Sequence, residues 1–274
     1  MTFFRQPLVA VAAVILAFIA GLALFAPIVG SGDPVDTHLE RKLEGPSAEH
    51  WLGTDHLGRD VLSRLAFGAR TSLGAVSVIL AMILVASTTV GCVSALCGGI
   101  VDSVLMRLCD TFLTFPTIIL AMFLTGILGT GIVNVVIAVV LTHWAWYARI
   151  IRSLVLSVKN REYVAAAKVS GTTGIRTVFR HILPATAAQL VVLATLDIGH
   201  MMLHVSGLSF LGLGVRPPLP EWGVMINDAR PYLWTQPHLI LYPGLLIFLT
   251  VAAFNLLGDA LRDFLDVAST GGNP

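Results

Sequence analysis

The chain has 274 residues, of which 56% are hydrophobic and only 12% charged, with a mean hydropathy of +0.85. That composition excludes an ordinary soluble domain and describes a polytopic membrane protein. A formal net charge of +1 with no long basic run argues against nucleic acid as a partner.

The first apolar segment, Leu8 to Val29, follows a single Arg5. It exceeds the roughly 7 to 15 residues of a signal-peptide core, so a retained span is predicted. The polar stretch Ser31 to Gly68 then carries seven acidic and four basic residues, a net charge of −3. Further apolar stretches at Leu73 to Leu96, Leu113 to Leu128, Ile132 to Ile150, Ala185 to Leu213 and Leu239 to Leu257 bring the predicted total to six membrane helices in an all-α protein. Between the fourth and fifth lie Arg149, Arg152, Lys159, Arg161, Lys168, Arg176 and Arg180 against Glu162 alone. The positive-inside rule places that loop in the cytoplasm. Both termini are then cytoplasmic, and the acidic 31–68 loop and the loop from Val215 to His238 lie outside. The expected organisation is an N-terminal span over 1–30, an extracytoplasmic loop over 31–68, a core over 69–260 that includes the cytoplasmic loop 151–184, and a cytoplasmic tail over 261–274.

Cys92, Cys97 and Cys109 are odd in number and fall near the cytoplasmic end of the second span, so reduced structural thiols are expected. The three lysines, Lys42, Lys159 and Lys168, follow Arg41, Val158 and Ala167. None has the preceding glycine of a phosphate-binding Walker A loop. The chain also lacks an H-E-x-x-H zinc helix and a G-x-S-x-G nucleophile elbow. An enzyme is therefore not expected, and the chain is expected to bind no cofactor of its own.

The polar island Glu162 to Pro184, EYVAAAKVSGTTGIRTVFRHILP, reads as a helix from Glu162 to Ser170, a break at Gly171, and a second helix from Gly174 to Ile182 that ends before Pro184. Small alanines let such a helix sit close inside a partner's groove, and glycine permits the sharp reversal. The alternative is an ordinary basic cytoplasmic loop. The run Ala165, Ala166, Ala167, then Gly171, Leu183 and Pro184, resembles the coupling loop of binding-protein-dependent ABC importers, with Ala165 where that pattern has its leading glutamate. Two further strings carry the resemblance. HWLGTDHLGRDVLSRLAFGARTSL (His50 to Leu73) and FLGLGVRPPLPEWGVMINDAR (Phe210 to Arg230) are similar to the dipeptide, oligopeptide and nickel permeases of the second-subunit type.

The resemblance implies a type I ABC importer permease fold in a bacterial inner membrane. It also implies a homologous second permease, two ATPase subunits holding ATP and magnesium, an extracytoplasmic binding protein and surrounding lipid. It assigns ATPase coupling to Glu162, Ala165, Ala166, Ala167, Gly171, Leu183 and Pro184, and binding-protein docking to Glu221 and Trp222. Asp55, Arg59 and Asp60 read as salt-bridged structure.

In the fifth span, Asp197, His200, Met201 and His204 fall within one arc of roughly 100° on a helix. Ionisable groups inside a span are costly, and this face suits a transition-metal ion or its chelate. Interhelical hydrogen bonding alone is the competing reading. LDIGHMMLHV, together with THWAWYARIIR in the fourth span, resembles nickel-uptake permeases. His143 and Tyr147 share a face at i, i+4 at the inner mouth of that path or belong to an interfacial aromatic belt. The expected function is half of an ATP-driven import path for nickel or a nickel chelate, with His200 and His204 as transient metal contacts. The alternatives are dipeptide or oligopeptide import, and an ion-coupled carrier or channel in which the same residues relay protons.

Overall fold

A computed structural model describes residues 7–30, 33–172 and 174–270. Among these, no strand occurs, and an isolated bridge joins Thr54 to Asp60. Helix α1 (Pro7–Leu24) is apolar on every side and leaves Leu8, Val14 and Phe18 exposed, as a helix facing lipid does. The single turn α2 (Ala26–Val29) follows it.

Helix α3 (Val61–Cys97) has 37 residues and is about 55 Å long. It begins inside the segment assigned to the 31–68 loop, twelve residues before the apolar stretch does. The reason is a cap: the Asp60 carboxylate accepts a hydrogen bond from the Ser63 amide at 2.7 Å, which fixes the helix start in a polar region. Periodicity alone could not place that start.

The third predicted span is also corrected. Instead of one helix over Leu113 to Leu128, α4 (Gly99–Leu113) and α5 (Thr117–Leu128) meet at 86° across a break that holds Pro116. Proline removes an amide donor and restricts the residue before it, so the bend falls where the sequence dictates. At 12 residues, about 18 Å, α5 cannot cross a core of about 30 Å alone. Among the described residues, five helices are long and apolar enough to cross, and the bent pair makes a sixth passage if its two halves form one broken span.

Helix α6 (Ile132–Lys159) lies against α3 and runs parallel to it. The Gly131 amide donates to the Gly214 carbonyl at 2.8 Å, while Lys159 Nζ donates to the Ala95 carbonyl at 2.8 Å, which ties the two ends of α6 to opposite ends of the bundle. Close approach is required at Gly91, where an added Cβ would lie 2.8 Å from the Ala148 carbonyl oxygen. Helix α4 docks on the second half of α6 through an Arg152–Asp102 pair, in which Nε and Nη2 each donate to one carboxylate oxygen at 2.5 Å, and an Arg149–Asp110 contact at 2.8 Å.

Beyond α6 come α7 (Glu162–Val169), the turn α8 (Ile175–Thr177), a π-helical turn (Val178–Ile182) and α9 (Leu183–Phe210). The predicted first hairpin helix is present. The predicted second helix does not stand alone: it runs through the π turn directly into α9. Pro184 lies in the first turn of α9, where its missing amide costs the helix nothing. Helix α10 (Trp222–Ala229) packs against α9 and α11 (His238–Thr270), and α11 continues well past the predicted limit at Leu257, through most of the segment assigned to the tail.

Candidate substrate path and coupling surface

The polar face of α9 meets α6 along a seam within the span region. Asp197 is nearly enclosed, with 14% of its side chain exposed, and its Oδ2 accepts from the fully buried Tyr147 hydroxyl at 2.8 Å. Its other oxygen lies 3.2 Å from His200 Nδ1, and the His200 side chain is 71% exposed. One turn further along α9, His204 Nδ1 lies 2.8 Å from the His200 carbonyl. The His204 ring meets the His143 ring edge to face, with centroids 4.6 Å apart and planes at 87°. His143 Nδ1 is held 3.0 Å from the Val139 carbonyl.

Four of the five residues assigned to the path, Asp197, His200, His204 and His143, are thus brought onto one seam. Met201 is not. It is completely buried in the main apolar core, because at 100° per residue it lies at the far edge of the arc from His200, and α9 is rotated so that this edge faces inward. Tyr147 enters the site by its bond to Asp197, a role that the i, i+4 spacing from His143 hints at and that only the packing of α6 on α9 makes specific. Among the described residues, no three histidines, cysteines or acids converge to cage a metal ion. Cys92, Cys97 and Cys109 are free thiols.

At the end of the bundle where α7 lies, Val164 anchors that helix. It is fully buried in a small apolar cluster with Ile151, Val155, Val158 and Ile182. Glu162, Ala165 and Ala166 face outward, Ala167 is half-buried, and Gly171 is exposed with φ +88°, a conformation side chains rarely adopt. Leu183 is half-buried and Pro184 exposed at the start of α9. Three residues that sequence reasoning missed, Tyr163, Val169 and Phe179, expose apolar surface here at 46%, 90% and 65%. The signal was in the sequence: large apolar groups inside a basic island.

At the opposite end, residues 33–60 cap the bundle. Arg59 and Arg64 are both buried and are shared between Asp55 and Asp228, with contacts from 2.7 to 3.6 Å. His50 Nδ1 lies 3.0 Å from Asp60. The expected salt-bridged role of Asp55, Arg59 and Asp60 therefore corresponds to a buried network that ties the cap to α3 and α10. His56 stacks on Tyr232, and burial pushes its imidazole below the usual histidine range against the opposing pull of Asp55.

The docking assignment of Glu221 and Trp222 is corrected by their burial, since neither exposes any surface. Glu221 caps α10 through the Val224 amide at 3.0 Å and accepts from Ser72 and Ser206 at 3.0 and 3.1 Å. The Trp222 indole donates to the Leu65 carbonyl at 3.0 Å. A carboxylate out of water needs such partners, and here they come from α3 and α9.

Membrane-length helices around a polar seam, with a hairpin exposed at one end, are the architecture of an integral membrane protein. Residues 87–268 match the family described as binding-protein-dependent transport system inner membrane component. The chain is 54% identical over 258 residues, 94% of its length and 93% of the relative's, to the nickel transport system permease protein NikC of Escherichia coli (strain K12). It is 41% identical over 267 residues to the glutathione transport system permease protein GsiD of Pectobacterium atrosepticum (96% and 88% of the two chains). It is 39% identical over 262 residues to the dipeptide transport system permease protein DppC of Alkalihalophilus pseudofirmus (96% and 86%). The chain belongs to the family of inner membrane components of binding-protein-dependent transport systems. It is a membrane-spanning ABC importer permease of the nickel and peptide group and not a catalytic enzyme.

Proposed function

We propose that the chain forms half of the membrane path for nickel, free or carried by a small chelator. The observation that carries this is the seam of His143, His200, His204 and Asp197 between α6 and α9. Ionisable and imidazole groups at span depth are costly unless they serve a path, and neutral imidazole suits nickel, copper and zinc. The similarity to NikC supports the same cargo. The path is shared with a homologous second permease, and two ATPase subunits bind ATP and magnesium, while this chain binds no cofactor. Binding of ATP closes the ATPase pair, and hydrolysis resets it. The α7 hairpin sits in the ATPase groove through Glu162, Ala165, Ala166, Ala167 and Gly171. The continuous passage through Leu183 and Pro184 into α9 carries its displacement to the seam. Both termini and the hairpin are cytoplasmic, in agreement with the basic residues around 149–180. The extracytoplasmic binding protein meets the exposed part of the 33–60 cap, where Glu40, Glu49 and Trp51 are accessible.

A peptide cargo is the second reading, favoured by the similarity to DppC and GsiD. Labelled-nickel accumulation at trace concentration separates the two, in cells with and without this chain and with excess dipeptide. Nickel uptake that needs the chain and ignores dipeptide is the expected result. Unchanged nickel uptake on deletion, with loss of dipeptide import, contradicts it.

A further inference from the structure

The hydrogen bonds of the three seam histidines share one feature. Each Nδ1 lies against an acceptor oxygen, the Val139 carbonyl for His143, the Asp197 carboxylate for His200 and the His200 carbonyl for His204; the Thr142 hydroxyl, also 3.0 Å from His143 Nδ1, donates to the same Val139 carbonyl and so presents a lone pair to the ring. In the neutral ring, Nδ1 must therefore carry the hydrogen, which leaves Nε2 as a bare lone pair. Tyr147 fixes the second of these by holding the other oxygen of Asp197, so that the carboxylate stays turned toward His200. This is the arrangement in which an outer carboxylate or carbonyl orients a metal-binding imidazole. The His200 ring is largely exposed, whereas the His143 and His204 rings meet edge to face. His200 and His204 lie one turn apart, an axial step of about 6 Å, and His204 touches His143 of the neighbouring helix.

We infer that the three imidazoles form a ladder of oriented nitrogen donors, with His200 as one rung and the His143–His204 pair as the next. The cargo then crosses as a metal ion with at least one coordination position open to nitrogen, and not as a fully enclosed chelate. This rests on the nickel reading above and narrows it. Two further features fit. Among the described residues no three ligands converge, so each rung holds the ion weakly enough to release it, as passage requires. The rungs also join two helices, so relative motion of α6 and α9 changes the His143–His204 spacing and hence the affinity of that rung.

Diethyl pyrocarbonate acylates unprotonated imidazole nitrogen, and mass spectrometry reads each histidine separately. The complete transporter, in lipid nanodiscs, is labelled in its resting and nucleotide-trapped states with no metal, with nickel chloride, or with nickel enclosed in EDTA. Nickel import by the same preparation is measured in parallel. The expected result is acylation of His200 and His204 in at least one state, protection by nickel chloride, no protection by nickel–EDTA, and no effect at His181 near the hairpin. In His143→Gln, the nickel concentration for half-protection of His204 rises about 10-fold, while protection of His200 is retained. If the preparation imports nickel but the metal protects neither histidine, or neither reacts in either state, the ladder is wrong and the nickel reading stands. If it imports no nickel, both fall. Equal protection by nickel–EDTA overturns the open-coordination claim.

Discussion

Replacing His200 and His204 together by alanine is expected to lower nickel accumulation about 10-fold or more at trace nickel, with the transporter still assembled. Loss of a group that merely orients a metal-binding histidine costs about 10- to 100-fold in affinity or activity, and loss of the imidazoles themselves should cost no less. Assembly should survive because neither side chain holds the core together. His200 is largely exposed, Asp197 keeps its Tyr147 partner, and His143 keeps its bond to the Val139 carbonyl. Met201→Leu is the informative contrast. Met201 sits on the same helix and is fully buried, so a swap of similar volume costs under about 1.5 kcal/mol and leaves uptake unchanged. Uptake by the two variants, compared at matched membrane content of the whole complex, checks this. A double histidine variant that imports nickel normally removes the seam from the path.

Arg59→Met is expected to destabilise the cap severely. Arg59 is 2% exposed and bonds Asp55 at 2.7 Å and Asp228 at 3.4 Å. Without it, the buried Asp55 and the half-buried Asp228 share Arg64 alone. Breaking a buried ion network from one side costs about 3–5 kcal/mol, because an uncompensated charge remains out of water. Arg41→Met removes an ion pair as well, but its bonds to Glu44 and Glu49 lie at the surface, where solvent and salt screen them, so no measurable change is expected. Thermal unfolding of the purified complex separates the two. Asp228→Asn, which keeps shape and a hydrogen-bonding group, should fall between them. Equal midpoints for Arg59→Met and wild type would show that the network does not hold the cap.

Much of the architecture was legible because a bilayer is a simple solvent: apolar length marks a span, and each of the five long helices found among the described residues contains most or all of a predicted apolar stretch, although several extend beyond it. What hydropathy missed has local causes. Asp60 starts α3 in polar sequence, and Pro116 divides the third apolar stretch. The π turn joins the hairpin to α9 where helix-stop reasoning predicted an end. The face of α9 was legible as far as helical spacing reaches, which gave Asp197, His200 and His204 together. Its rotation was not, since the exclusion of Met201 depends on which neighbours α9 packs against. Contacts distant in sequence were illegible for the same reason. His143 lies 61 positions from His204, and Ser72 lies 149 from Glu221. A glutamate beside prolines looked like an exposed loop residue because its buried partners belong to other helices.

The central claim is that this chain is half of an ATP-driven nickel path, and reconstitution of the complete transporter in sealed vesicles tests it most directly. Labelled nickel should accumulate only when the binding protein is on one side and magnesium and ATP are on the other, and the double histidine variant should lose that accumulation. Nickel entry that persists without ATP and collapses with the proton gradient, or ATP-driven import of dipeptide with none of nickel, would contradict the account.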